Sequence, residues 1–367
     1  MTDLAIPAGP GDLTAKWLSE ALRSSAVLGD GTVTTFDTQI IGEGVGIMGQ
    51  LARVSLQYEG GKPSGPPSLV AKFPTPVAEN RAVAQMFGFY EKEVRFYQEV
   101  AAAAPVGTAS CYYAAFEPSS GEFVLLMEDL ADARPGDQTQ GCTPEEAELA
   151  VREIARMHAA WWDDGKLDGL RWLPSFTHPM YMQGLPGTFQ QAWMGTVQNF
   201  GSHLPPNVRS LGDRFHEAIP DMLRRLARPP HTFVHGDYRL DNFFFRDGTG
   251  DRPLAIVDWQ ICGRGRGPYD VGYFLSQSLD PKSRRMHERD IVQAYYDALV
   301  AGGVREYSMD DCWEDYRLAT LHCLIYPVVV CGATDVGNER GLRLATAILE
   351  RSVAAIEELN AYDLITS

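Results

Sequence analysis

The stretch that decides the fold is Phe233-Val234-His235-Gly236-Asp237-Tyr238-Arg239-Leu240-Asp241-Asn242-Phe243-Phe244-Phe245. Apolar, β-prone residues flank it on both sides, so it reads as a loop held between two short buried strands. Inside the loop, Asn242 follows Asp237 by five positions. That spacing sets a carboxylate beside an attacking hydroxyl and, about one turn away, an amide oxygen on a metal ion. Leu254-Ala255-Ile256-Val257-Asp258-Trp259 comes next, an apolar strand ending in a carboxylate, and Asp258 is expected to be the second magnesium ligand. The plainer alternative is that His235, Asp237 and Asn242 only shape a tight turn.

Upstream, Gly44-Val45-Gly46-Ile47-Met48-Gly49 is a G-x-G-x-x-G run preceded by Gly42. A dinucleotide-binding loop of this pattern must open a helix. Here Ala52, Val54, Leu56 and Tyr58 alternate with Arg53, Ser55 and Gln57, which is a strand. The glycines therefore belong to a hairpin, either an ordinary one or one laid over phosphates as in kinases. A Walker A loop is excluded, because Gly61-Lys62 is followed by Pro63 and no other G-x-x-x-x-G-K-[ST] candidate occurs. Lys72 stands inside the apolar strand Val70-Ala71-Lys72, where a lysine needs a partner. Glu93 and Glu91 both offer one from the following helix. Glu93 is preferred because it lies with Tyr90, Val94 and Tyr97 on the inward side. A strand-edge lysine and a solvated glutamate are the alternative.

Strands are expected over 33–41, 51–58, 69–73, 111–116 and 123–127. One long helix is expected over about 79–103, with Val83, Met86, Phe87, Tyr90, Val94 and Tyr97 on one face. The stretch 131–141 reads as a linker. Thr143-Pro144-Glu145-Glu146 then forms a capping box, and the chain is mainly helical beyond it, apart from a β-rich island over 233–258. The order gives a small β-rich lobe followed by a larger α-rich one.

Taken together, Gly44, Gly46, Gly49, Lys72, Glu93, His235-Gly236-Asp237, Asn242 and Asp258 resemble the aminoglycoside phosphotransferase family. That family is a small-molecule branch of the protein-kinase-like fold, which also includes choline kinases and ecdysteroid-kinase-like enzymes. The resemblance is clear over roughly 35–280. It implies an α+β, bilobal fold with an N-terminal extension (1–30), a nucleotide-binding N-lobe with one long helix (31–130) and a larger α-rich C-lobe (131–367). The C-lobe would carry the catalytic loop and the acceptor site. The resemblance also implies ATP and Mg2+ as cofactors and a hinge at 126–130 whose backbone, at Glu128 and Leu130, bonds adenine. GTP in place of ATP is left open. Asp258-Trp259-Gln260 replaces D-F-G and His-Gly-Asp replaces His-Arg-Asp, as suits the small-molecule branch. Only 260–269 separate Asp258 from Asp270, without Ser, Thr or an A-P-E motif, which leaves too little chain for a peptide-substrate platform. His235 and Asp270 are read as supports of the loop and His158 as a core histidine.

The composition bounds the partners. Of 367 residues, 32 are Lys or Arg and 48 are Asp or Glu, for a net charge of −16, so nucleic acid and anionic membranes are unsuited. No apolar run reaches the ~18 residues of a membrane span, and Met1-Thr2-Asp3-Leu4 does not open a signal peptide. The six cysteines show no metal-ligand spacing, so reduced thiols in a cytoplasmic protein are expected.

The expected activity is transfer of the ATP γ-phosphate to a hydroxyl of a small molecule, with Asp237 as the base. Trp161, Trp162, Trp172, Phe176, Tyr181, Phe189, Trp193 and Phe200 crowd one stretch and point to a largely apolar alcohol, unless they simply pack the helical core. An aminoglycoside or choline-type acceptor is the alternative within the class, and a nucleotide-binding regulator without chemistry is the alternative outside it. The acids at 310–315 suggest a cationic-substrate site, or else helix-start residues capped by Ser308.

Overall fold

The computed structural model describes residues 4–42, 48–60, 65–246, 252–334 and 337–366. The chain forms two compact units. The first comprises Met1–Ala104, Thr108–Ala133 and Val257–Ile261, and the second Pro105–Gly107, Arg134–Ile256 and Cys262–Ser367.

In the first unit, helix α1 (Ala15–Ser24) starts where the Thr14 hydroxyl accepts from Trp17 N, and its Leu18, Ala21 and Leu22 are fully buried. The first thirty residues, read as an extension, thus contribute to the unit's core. The strands are β1 (Thr32–Ile41), β2 (Gly49–Glu59), β3 (Ser68–Pro74), β4 (Cys111–Glu117) and β5 (Glu122–Glu128). They form one antiparallel sheet in the order β1-β2-β3-β5-β4. Alternation decides the faces: Ala52, Val54 and Leu56 of β2 point into the core with Leu69 and Ala71 of β3, while Ser55 and Gln57 face out.

The helical segment after β3 departs from the expected single run. Helix α2 (Ala78–Met86) gives way at Gly88, whose left-handed backbone (φ 62°) restarts the chain as α3 (Phe89–Arg95). A π-helical turn at Phe96–Val100 and a 3-10 turn at Ala101–Ala103 complete it. Glycine takes that conformation at little steric cost, and a helical periodicity does not register a single break. The break leaves Met86, expected on the inward face, 68% exposed.

The first elements of the second unit are β6 (Arg134–Pro135), inside the stretch read as a linker, and α4 (Pro144–Ala160), which has the expected Thr143–Glu146 capping box. Helices α5 (Pro179–Phe200) and α6 (Pro206–Leu226) lead to the short strands β7 (Thr232–Val234), β8 (Phe243–Phe245), β9 (Leu254–Ile256) and β10 (Gly263–Gly265). β10 pairs with β7, and β6, β8 and β9 form a second small sheet. Then follow α7 (Pro268–Ser278), α8 (Pro281–Ala301), α9 (Met309–His322), α10 (Ile325–Ala333) and α11 (Glu339–Glu358). Among the described residues, Met309–Ala333 is the one stretch long and apolar enough to cross a membrane. The most apolar 18-residue window of that stretch is 67% buried, within core helices α9 and α10. The architecture is mixed α+β, with the sheet in the N-terminal part and helices dominating the C-terminal part.

Candidate active site

In the first unit, β3 carries Lys72 inward, where its ammonium meets two carboxylates. Nζ lies 2.6 Å from Glu93 Oε2 and 3.1 Å from Asp258 Oδ1. Glu93, not Glu91, faces the lysine, because α3 turns Tyr90, Glu93 and Val94 to the core. Burial alone would lower the Lys72 pKa, but the charges of Asp258 and Glu93 outweigh it and hold the ammonium well above its usual range. Burial pushes Glu93 up, against the pull of Lys72. Gly49 opens β2 directly over this lysine: a Cβ there would lie 3.1 Å from Lys72 Cε and 3.3 Å from the Phe73 carbonyl. Gly44 and Gly46 lie outside the described residues.

Asp258 adopts a left-handed backbone (φ 64°), a conformation that costs a non-glycine residue on the order of 1 kcal/mol or more. The next side chain anchors that turn, as the Trp259 ring stacks on Phe96 of the π turn with centroids 4.0 Å apart. At the expected hinge, Glu128 ends β5 with its N–H on the Ser110 carbonyl and its carboxylate accepting from Ser110 N, while the Leu130 carbonyl accepts from Ala133 N.

In the second unit, the loop from β7 to β8 is held from both ends. Asp270, in the first turn of α7, accepts from His235 N (2.7 Å) and Gly236 N (2.9 Å). It is oriented by His158 Nε2 at 3.1 Å, whose Nδ1 meets Tyr295 Oη at 2.8 Å. His158 is therefore a satisfied core histidine that buttresses the loop. Gly267, just before α7, makes this possible, since a Cβ there would lie 2.5 Å from Tyr295 Oη and 2.9 Å from His158 Nδ1. At the far end, Gln138 accepts from Leu240 N and donates its own N–H to Asp241, and Arg351 donates to the carbonyl of Gln138.

Asp237 is buried at 7% exposure and surrounded by donors. Tyr273 Oη donates to Oδ1 at 2.7 Å, and Asn242 Nδ2 donates to Oδ2 at 3.1 Å and to the Asp237 carbonyl at 2.9 Å. Arg239 Nε stands 3.2 Å from Oδ1. Burial would raise the Asp237 pKa, but the Arg239 charge, the Tyr273 bond, His235 and Asn242 together hold it below the usual carboxylate range. Such a carboxylate is ionised at neutral pH and can orient a hydroxyl and receive its proton. Tyr273, Arg239, Gln138 and Arg351 were not expected from the sequence. Only Tyr273 had a signal: it follows Asp270 by three positions on one helix, so the two share a face.

The aromatic stretch divides. Phe189, Trp193 and Phe200 are core, with Phe189 packed on Trp193 and on Phe215 of α6. These three follow the core alternative, with Phe189 reaching from α5 to Phe215 of α6. Trp161 and Trp172 pack on Phe233, and Trp162 on Tyr307. Phe176 lies against Tyr269 at 4.6 Å, and Tyr269 Oη bonds Tyr326 Oη, whose ring stacks on Tyr273 at 4.4 Å. Tyr326 stands in the electrostatic surroundings of Asp237 and Tyr181. Two of the acids at 310–315 belong to the fold: Asp311 forms a capping box with Ser308, and Asp315 binds Arg266 and Tyr307.

A sheet-bearing unit with a buried Lys–Glu pair, and a helical unit with an Asp-centred loop, define a protein-kinase-like phosphotransferase. Residues 56–317 match the profile of the phosphotransferase enzyme family, APH. The chain belongs to that family and is a small-molecule phosphotransferase with hydroxyl acceptors. No curated protein matches the sequence. Solved structures share the fold. Aminoglycoside 2'-phosphotransferase-IIIa in complex with GDP has a TM-score of 0.54 at 13% identity, over 93% of this chain and 99% of that one. A microcompartment-associated aminopropanol kinase has 0.54 at 12%, over 95% and 98%. The choline kinase of Cryptosporidium parvum Iowa II has 0.50 at 10%, over 90% and 88%. Different acceptors on one fold leave this chain's acceptor to be argued from its own residues.

Proposed function

We propose that this phosphotransferase moves the γ-phosphate of ATP to a hydroxyl of a small, largely apolar alcohol. The observation that carries the reading is the buried Asp237 carboxylate, ionised and fixed by Tyr273, Asn242 and Arg239. In this scheme Asp237 takes the acceptor's proton as its oxygen bonds the γ-phosphorus, the bond to the β-bridging oxygen breaks, and ADP leaves. Lys72, braced by Glu93, holds the α- and β-phosphates, the Gly44–Gly46–Gly49 loop covers them, and the backbone at Glu128 and Leu130 binds adenine. Positioning and charge neutralisation are most of what phosphoryl transfer requires.

Asn242 and Asp258 would hold Mg2+. Both amide hydrogens of Asn242 go to Asp237, which leaves its oxygen as the atom for a hard cation, and Asp258 keeps its side chain 25% exposed beside Lys72. What magnesium supplies when bound is neutralisation of charge on the phosphates.

The apolar acceptor rests on Phe176, Tyr181, Tyr269 and Tyr326, which accompany Tyr273, while Asp311 and Asp315 serve the fold. Cys111, Cys142, Cys312, Cys323 and Cys331 are free thiols, which suits a reducing cytoplasm, and the charge of −16 suits neither nucleic acid nor anionic membrane. The test is a coupled ADP-release assay with Mg2+ that sets kanamycin-type sugars and choline beside hydroxylated steroids and terpenoids. Turnover of the apolar alcohols supports the reading. Turnover of the amino compounds alone replaces it with an amino-alcohol kinase, and ATP binding with no turnover of any kind points to a regulator.

A further inference from the structure

We propose that Tyr273 is a positioning residue for phosphoryl transfer: its phenol locks the Asp237 carboxylate in the orientation that receives the acceptor's proton. The inference rests on the reading of Asp237 as the base. A carboxylate's terminal torsion is broad and roughly two-fold, so an aspartate fixed only through its backbone still presents its oxygens over a range of directions. Here each oxygen has its own donor, Tyr273 Oη on Oδ1 at 2.7 Å and Asn242 Nδ2 on Oδ2 at 3.1 Å.

The helix that supplies Tyr273 also supplies Asp270. Three positions apart on α7, they share one face. Asp270 grips the loop's backbone at His235 N and Gly236 N, and Tyr273 grips the side chain of the very next residue. Backbone and carboxylate are thus referenced to a single helical turn. Tyr273 itself cannot drift. It is 4% exposed, and its ring stacks on Tyr326 with planes 19° apart. Burial and then the Asp237 charge raise the Tyr273 pKa well above the usual value, so the phenol keeps its proton and remains a donor.

The experiment follows Mg·ATP hydrolysis with water as acceptor in the full-length protein and in Tyr273→Phe, Tyr316→Phe and Asp237→Asn. Phenylalanine at 273 keeps the stack on Tyr326 and deletes only the hydroxyl. Hydrogen bonds to charged groups are worth enough for kcat to fall about tenfold to a hundredfold, with KM for ATP unchanged. Tyr316→Phe deletes a similarly buried phenol bond to a carboxylate outside the loop, Tyr316 Oη to Glu288 Oε1 at 2.6 Å, and should keep kcat. Wild-type kcat in Tyr273→Phe, alongside loss in Asp237→Asn, overturns this proposal alone. Full hydrolysis in Asp237→Asn overturns the functional reading beneath it. If Tyr273→Phe loses kcat only as far as Tyr316→Phe does, in step with a lower melting temperature, the hydroxyl is merely structural and the proposal falls.

Discussion

Replacing Lys72 with methionine keeps the side chain's length and removes its charge. Lys72 Nζ stands 2.6 Å from Glu93 and 3.1 Å from Asp258, with Glu93 only 1% exposed. At an effective dielectric constant of ~20 the closer contact is worth about 6 kcal/mol of gross attraction, most of which offsets desolvation. Breaking such a pair leaves an uncompensated buried charge and costs about 3–5 kcal/mol. Glu93 can evade part of that by taking up a proton.

Burial already pushes its carboxyl up to about 7 against the pull of Lys72, and without Lys72 it goes higher. An acid whose folded pKa exceeds its unfolded value binds more protons when folded, so stability falls as pH rises between the two values. The wild type stops losing stability on this account near pH 7, whereas the variant goes on. Lys72, with its pKa raised, contributes fully throughout that range. The stability deficit of Lys72→Met should therefore be level below about pH 7 and widen above it by roughly 1 kcal/mol per pH unit. Urea unfolding of both proteins at pH 6 and pH 9 reads it directly. An identical deficit at the two pH values would refute the reasoning.

Gly267→Ala places a Cβ 2.5 Å from Tyr295 Oη and 2.9 Å from His158 Nδ1, so it should cost about 1–3 kcal/mol in urea melts and lower kcat by releasing Asp270. Burial pushes the thiols of Cys111, Cys142 and Cys331 up to about 12, so the native protein should react slowly with iodoacetamide at pH 8, while the unfolded chain alkylates at all six cysteines. Rapid native labelling of these three would contradict the packing. Thr143→Ala removes the capping box of α4 and should lower stability by about 1 kcal/mol in a thermal melt, with kcat unchanged.

How much of this was legible in the sequence depended on sequence distance. Asp237 and Asn242 come together because five residues and a single 3-10 turn join them, so their spacing was enough. The Lys72–Glu93 pair was readable because inward neighbours singled out Glu93 on its helix. Gly88 was not read as a break, since the apolar spacing carries on across it and only the φ of one residue changes. Gln138 and Arg351, 213 positions apart, support the loop from places no local pattern links. The aromatics of 161–200 left two readings open in the sequence, a pocket or a core. Density cannot distinguish a pocket from a core, and Phe189, Trp193 and Phe200 spend theirs between helices.

The central claim, a small-molecule hydroxyl kinase working through Asp237, is tested most directly by transfer of radiolabelled γ-phosphate from ATP to an alcohol panel, in wild type and in Asp237→Asn. The wild type is predicted to form a labelled phosphomonoester. The variant, with ATP affinity intact, is predicted to form it ~10²–10⁴-fold more slowly. Equal rates in the two proteins, or label that never leaves ATP for any hydroxyl in the wild type, would contradict the account.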